Sequence, residues 1–442
     1  MKTARVLGFC LATTTLAGGL SPVAAKVIAI NQPALTLTEA RIGTLPDAER
    51  AVWLAYLLRS KAQARADRQS LAAELPPGQT PPPPPQAVGP SNYNMPLDRP
   101  AVWYKSAEAL RIADTMVSFQ TPAGGWSKNQ NRAGPTRLPG QRYGNDAETM
   151  VQDPANFDAP YDRFWTFVGT LDNDATTTEM RFLARVSDAL PGERGARYRE
   201  SIVRGVEYLL AAQYPNGGWP QIWPLEGGFH DGITFNDNAV AKAAMLLQDV
   251  AQAPTYRFVP GSLRQKASAA VNKAVDVILA AQVSRDGQLR GWPQQVDPLT
   301  LEPISARNYE PRSVASGETT EVLIFLMNRP SPSPAIRAAV EGGTAWLKQV
   351  ALYDHAWEKT EGGRKLFARK GGGPLWSRNY DVVSGQPIFG DKNRTIHDDV
   401  NEISEGRRNG YNWWVTQPQD ALKAYAEWNR KYGAPAAAER PR

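Results

Sequence analysis

The sequence predicts a mostly α fold: a toroid of helix hairpins with long loops gathered at one mouth, preceded by a separate N-terminal helical segment. Three observations carry that prediction. Helical stretches rich in Ala and Leu recur along the chain, one corner motif closes several of them, and an acidic cluster opens the stretch after each corner. Stacked antiparallel helix pairs that close on themselves make an α/α toroid.

Taken in order, the first element is a leader. Lys2 and Arg5 precede an apolar stretch from Val6 to Leu20, and Val23 and Ala25 stand at −3 and −1 of a cut before Lys26. That pattern is a secretory signal peptide over residues 1–25, so the mature protein is expected to be periplasmic or extracellular. Its loss lowers the formal net charge of +6 by two, to +4, and removes Cys10, the only cysteine. Disulfide frameworks and thiolate metal sites are thereby excluded. Three histidines in 442 residues do not support a multi-His zinc centre, and the longest apolar run is too short to span a bilayer.

Residues 47–75 read as one long helix, with Trp53, Leu54, Leu57 and Leu58 on one side. Residues 26–75 form the N-terminal helical segment, and the Pro-rich stretch 76–100 is a linker stiffened by Pro81 to Pro85. The toroid occupies 101–442, with helices expected over 103–120, 176–190, 196–213, 237–252, 263–282, 317–328, 333–352 and 417–431.

The corner motif is an internal repeat. Gln120-Thr-Pro-Ala-Gly124-Gly125-Trp126 matches Gln213-Tyr-Pro-Asn-Gly217-Gly218-Trp219, and a looser copy runs from Gln282 to Gly291-Trp292. Glycine supplies the left-handed cap that lets the chain turn. Acidic starts follow at Asp172-Asn173-Asp174, Asn236-Asp237 and Ser316-Gly317-Glu318. If outer helices run up and inner helices run down, these loops and starts share one end. That mouth gathers Asp172, Asp174, Asp231, Asp237, Arg307, Arg378 and Arg394.

Clustered carboxylates beside arginines, without thiols, point to calcium and an acidic substrate, because calcium takes oxygen ligands and arginine forks pair with carboxylates. The rings of Trp219, Trp223, Trp292 and Trp376 offer flat faces to sugars. Simpler roles exist for each: an Asp at a helix start can be an N-cap, a Gly-Gly-Trp copy can be only a corner, and His230 and His397 can be hydrogen-bonded loop residues.

The loops resemble successive signatures of the pectate lyases of polysaccharide lyase family ten. The segments are Thr121-Pro-Ala-Gly-Gly-Trp-Ser-Lys128-Asn129, Leu171-Asp-Asn-Asp-Ala-Thr-Thr-Thr-Glu-Met180, Tyr214-Pro-Asn-Gly-Gly-Trp-Pro-Gln221 and His230-Asp-Gly-Ile-Thr-Phe-Asn-Asp237. Ala306-Arg307-Asn-Tyr309-Glu310, Gly373-Pro-Leu-Trp-Ser-Arg378 and the stretch from Pro387 to Ile403 continue the series. The resemblance spans residues 101 to about 415 in order. It implies calcium-assisted β-elimination on polygalacturonate, with Arg307 at the position of an arginine base. It further implies metal- or substrate-facing carboxylates in the Asp172…Asp174 and Asp231…Asp237 motifs, without deciding which aspartate of each faces the metal; Asp172, Asp174 and Asp237 are the metal candidates. Lys128, Asn173, Trp219, Asp231, Arg378 and Arg394 fall in its substrate-facing motifs. Gly232 and Pro293 depart from the family pattern beside the cleft. The expected partner is polygalacturonate, with no nucleic acid or membrane, and the expected state a monomer.

Two other chemistries fit a toroid. An inverting glycoside hydrolase would place two carboxylates across the cleft, and a non-catalytic binder of acidic polysaccharide would need only the arginines and rings. Gln120…Gly124-x-Trp126 also satisfies the Gln-x-x-x-Gly-x-Trp pattern of terpenoid cyclases, but a leader and the lack of an Asp-x-Asp-Asp run argue against that family.

Overall fold

The computed structural model describes residues 26–86, 88, 95–144, 156–158, 165 and 167–433, so the leader expected over 1–25 lies outside the described residues. The long helix α1 (Asp47–Ala72) is followed by a stretch through Pro81 to Pro85 that is neither helix nor strand. The toroid consists of α2 (Ala107–Ser118), α3 (Thr177–Ala189), α4 (Ala196–Ala212), α5 (Ala239–Gln252), α6 (Gly261–Ala280), α7 (Ser316–Met327), α8 (Pro334–Gln349) and α9 (Pro418–Tyr432). The ends of the expected helices shift by about one turn at most, and α6, α7 and α9 each reach a residue or two beyond expectation at one end. At the first, residues 101–105 wind as a tight 3-10 turn, and the Ser106 side chain accepts from Ala109 N at 3.2 Å to start α2.

α2, α4, α6 and α8 form the outer row, and α3, α5, α7 and α9 pack against them as the inner row. Inner helices α5 and α7 bury apolar side chains on most of their circumference, among them Val240, Leu246, Leu247, Leu323 and Leu326. Such helices are stable only inside a packed core.

The corners show why the repeat exists. Gln120 Nε2 donates to Gly124 O at 2.8 Å and across to Ser201 O of α4 at 2.9 Å. Gln213 does the same to Gly217 O and to Ala270 O of α6, and Gln282 to Arg290 O and Ala339 O of α8. Each glutamine thus closes its own corner and bolts one outer helix to the next. Each corner indole also donates to the end of its own helix: Trp126 to Met116 O, Trp219 to Leu209 O and Trp292 to Ile278 O. Trp376 to Leu347 O, at 2.7 Å, is a fourth copy. Its corner is interrupted by the hairpin His355–Thr360 and Gly363–Ala368, which hides the repeat in the sequence.

The N-terminal segment is distinct from the repeats but docked onto them. Trp53, Tyr56 and Leu57 of α1 belong to the same buried core as the toroid helices. The Tyr56 ring packs against Tyr214, tilted by 45° with centroids 4.7 Å apart, and its hydroxyl donates to Ala212 O at 2.8 Å. Ahead of α1, Ala29–Ile30 adds an edge to a small antiparallel sheet, pairing with Thr395–His397, which pairs in turn with Phe389–Gly390. No helix among the described residues is long and apolar enough to cross a membrane.

Candidate active site

A cavity of about 380 Å³ opens at one end of the toroid. Its lining comes from all four outer-to-inner connections. Lys128, Asp158, Phe167, Asp172 and Asn173 precede α3; Gln221, His230, Asn236 and Asp237 precede α5; Gln294, Arg307 and Glu310 precede α7; Arg378 and Tyr411 precede α9. The parity of the hairpins places them together, as the repeat requires.

The first acidic start is a turn in which Asn173, Asp174 and Thr176 adopt positive φ of 50°, 64° and 66°. Asn and Asp tolerate that region better than other side chains. Successive residues therefore point in different directions, and Asp172 alone of its pair of aspartates enters the cavity. Its Oδ1 accepts from Gln221 Nε2 at 2.8 Å, and its Oδ2 meets the Lys128 ammonium. Asp237, also at positive φ, 52°, accepts from Asn173 N at 3.1 Å and lies in hydrogen-bond contact with Asp172. Burial works to raise the Asp172 carboxyl, but Lys128 overrides it and holds it low. Burial beside that charge pushes Asp237 up. None of the helix starts at α3, α5 and α7 uses an acidic side chain as a cap. Of these acidic residues, Asp172 and Asp237 line the cavity.

Arg307 grips Glu310 with two parallel bonds, Nε and Nη2 each at 2.7 Å, and lies 4.9 Å over the Tyr309 ring. Burial works to lower the guanidinium, yet Glu310 outweighs it and holds it well above its usual value. Glu310 falls to about 2: burial opposes the shift, and Arg307 drives it. Tyr411 Oη donates to Glu310 Oε1 at 2.7 Å. Arg378 donates to Asn236 Oδ1 at 2.9 Å, pairs with Glu318 of the third acidic start at 3.0 Å, and lies 4.6 Å over Tyr411. With its amide oxygen turned toward its donors, Gln294 accepts from Arg378 Nη2 and Nε at 3.0 and 3.2 Å. His230 is neutral, pushed down to about 3 by burial and then by Lys128.

Several expected residues are elsewhere. Asp174 faces α5 and pairs with the Lys242 ammonium, outside the cavity. Asp231 is buried, and its two oxygens accept from Leu37 N and Gly227 N at 2.9 Å each, which makes it a clasp for the N-terminal arm. Trp219, Trp223, Trp292 and Trp376 are buried and offer no face to a sugar; the corner reading is the correct one for the repeated tryptophans. Arg394 sits at φ 71° in the turn between Phe389–Gly390 and Thr395–His397, away from the cavity. Gly232 could not be a larger residue unaided, since a Cβ there would lie 2.8 Å from Ile304 Cδ1.

Glu310, Tyr411, Asp158, Gln221 and Gln294 were not singled out in the sequence. Glu310 carried a signal, its spacing of three from Arg307 within one turn. Tyr411 carried none.

Among the described residues, no group of three or more His, Cys, Asp or Glu side chains could hold a metal. A divalent cation would have to complete its shell from elsewhere, and the cavity fits that demand. Four carboxyl groups, Asp158, Asp172, Asp237 and Glu310, face the three cations Lys128, Arg307 and Arg378. Gln221 Oε1 and Gln295 Oε1 are buried acceptors without a partner. Hard oxygen donors of this kind suit calcium.

A family model described as pectic acid lyase matches residues 120–422. Two solved structures of a family 10 polysaccharide lyase from Cellvibrio cellulosa resemble the chain, each at 29% identity. One is a mutant in complex with trigalacturonic acid, with a TM-score of 0.62 over 75% of this chain and 95% of that chain. The other has a TM-score of 0.61 over 78% and 99%. No curated protein sequence matches significantly.

Proposed function

The chain belongs to the pectic acid lyase family, and from that premise we propose that it cleaves α-1,4-linked polygalacturonate by β-elimination in this cavity, with Arg307 as the base. The observation that carries the reading is the placement of Arg307 and Arg378 around one cavity with the Asp172–Asp237 pair. The polymer presents one carboxylate per ring, the C5 proton is adjacent to it, and O4 lies β to it. In the reaction the C5–H electrons form the C4–C5 double bond as the C4–O4 bond breaks. O4 then takes a proton from water, and the product has an unsaturated end.

The chain's own residues bind and orient. Arg378, held by Asn236, Glu318 and Gln294, is fixed where a bidentate grip on the uronate carboxylate is available. Asp172 and Asp237 are the residues that would hold calcium, which when bound would neutralise the uronate and the charge that develops on it. Arg307 would accept the C5 proton. Removing its own proton is costly: from a free pKa near 12.5, the neutral form at about pH 9 costs roughly 4.8 kcal/mol, and Glu310 adds to that. The rate should therefore climb with pH through the alkaline range. A hydrolase would need two carboxylates about 5–9.5 Å apart, and Asp172 and Asp237, within hydrogen-bond reach of each other, are not such a pair. In this reading residues 1–25 are a leader, residues 101–442 are the catalytic unit, and the enzyme acts outside the cytoplasm.

The test is Arg307→Lys, assayed by ultraviolet absorbance of the unsaturated product. Turnover should fall by about 10²–10⁴-fold while trigalacturonate binding changes little. Retained turnover would reassign the base.

A further inference from the structure

We infer that the N-terminal arm, residues 26–37, is a strap that sets the position of the turn carrying Arg307, and that Asn31 is its positioning residue. The arm lies ahead of the residues matched by the family, 120–422. It is anchored along its length: Ala29–Ile30 pairs with Thr395 and Ile396, and Asn31 N donates to Arg394 O at 2.8 Å. Further on, Gly228 N donates to Thr36 Oγ1 at 2.8 Å, and Leu37 N to Asp231 at 2.9 Å.

From that fixed backbone the buried Asn31 amide reaches the base turn. Nδ2 donates to Arg307 O at 3.1 Å, Asn308 O at 3.0 Å and Glu310 O at 3.3 Å. It has two hydrogens for three acceptors, so at least one is shared. Three carbonyl dipoles converging on one point repel unless a donor sits there, and Asn31 is that donor. Two residues before Arg307, the Ser305 hydroxyl donates to Gln32 O. The turn's own backbone closures are Glu310 N to Arg307 O at 2.8 Å and Ala306 N to Glu310 O at 3.0 Å, with Arg307 N also donating to the Glu310 carboxylate at 3.1 Å beside the guanidinium grip. On its other side, Asp158 accepts from Asn308 N at 2.6 Å.

The guanidinium is aimed by this turn and by Glu310, which belongs to it. A displacement of about 1 Å at a reacting group can cost 10²-fold in rate. The rate consequence rests on the reading of Arg307 as the base; the strap itself does not.

The experiment compares Asn31→Ala and Asn31→Asp with the unaltered protein. Gln32→Ala is the control, since among the described residues that side chain donates only to Ile30 O. Ser305→Ala is a milder second variant should the Asn31 variants fold poorly. Hydrogen exchange of peptides covering 303–312 should quicken about ten-fold in Asn31→Ala and stay unchanged over the 213–219 corner. On polygalacturonate, kcat should fall about 10- to 100-fold with KM nearly constant and an unchanged slope of rate against pH. Asn31→Asp, which turns an acceptor toward three carbonyls, should be worse, and Ser305→Ala should move both readouts the same way by less. Unchanged exchange over 303–312 overturns the strap whatever the activity. Faster exchange with unaltered kcat overturns Asn31 as a positioning residue. If the unaltered protein makes no unsaturated product, the lyase reading falls, while the exchange result still decides the strap.

Discussion

Asp67→Asn should stabilise the protein in a pH-dependent way. Asp67 lies on α1 where that helix docks on the toroid, and it is 1% exposed. Its carboxyl is pushed up to about 6 by burial, which the Gln63 bond at 2.7 Å and the Arg68 charge only partly offset. In the unfolded chain it titrates near 3.9, and a difference of about two units corresponds to roughly 3 kcal/mol. The sign follows from which form the fold prefers. A raised pKa means the folded state favours the protonated carboxyl. No penalty exists below about pH 4; it grows between about 4 and 6 and is complete above. Replacing the carboxyl by a neutral amide removes that penalty, while the new N–H₂ has to find an acceptor at a cost of about 1 kcal/mol. The variant should therefore be more stable by about 2 kcal/mol at pH 8, and no more stable than the parent near pH 4. Urea titrations at pH 4, 5, 6 and 8 measure this, and taking the difference between the two proteins cancels every other titrating group. A stability difference that does not change with pH refutes the reasoning.

The two aspartates of the first acidic turn should separate in function. Asp172→Asn should abolish turnover and sensitivity to added calcium. Asp174→Asn, which loses only the Lys242 pair outside the cavity, should keep turnover within a few-fold; equal losses would return Asp174 to the site. Gly217→Ala should cost about 3 kcal/mol or more in a denaturant titration, because φ is 101° and the added Cβ would lie 2.3 Å from the backbone oxygen of Lys273. Gly78→Ala, at φ 84° with nothing within 4 Å, isolates the backbone strain and should cost about 1–2 kcal/mol.

The helices and their pairing were legible because Ala- and Leu-rich faces with glycine corners constrain the chain locally. The mouth was legible too, since hairpin parity is a counting argument that needs no coordinates. Individual side chains were harder. Asp172, Asp174, Asp231 and Asp237 look alike in sequence, yet one pairs with a lysine on the far side of a left-handed turn and another spends both oxygens on backbone amides. Those fates depend on φ at single residues and on an N-terminal arm nearly two hundred positions away. Of the two roles the sequence offers the repeated tryptophans, sugar platform and corner, it also holds the ground for choosing the corner. A residue recurring at every corner answers to what the corners share, which is a helix end with a carbonyl to satisfy. A cleft in which each connection faces a different part of the substrate has no use for the same ring three times. The same logic explains Glu310 and Tyr411, which occur once and stand at no repeated position. In this chain the repeated corners build the scaffold, whereas the cavity is lined both by the recurring acidic starts, through Asp172 and Asp237, and by residues that occur once, Arg307, Glu310 and Arg378 among them.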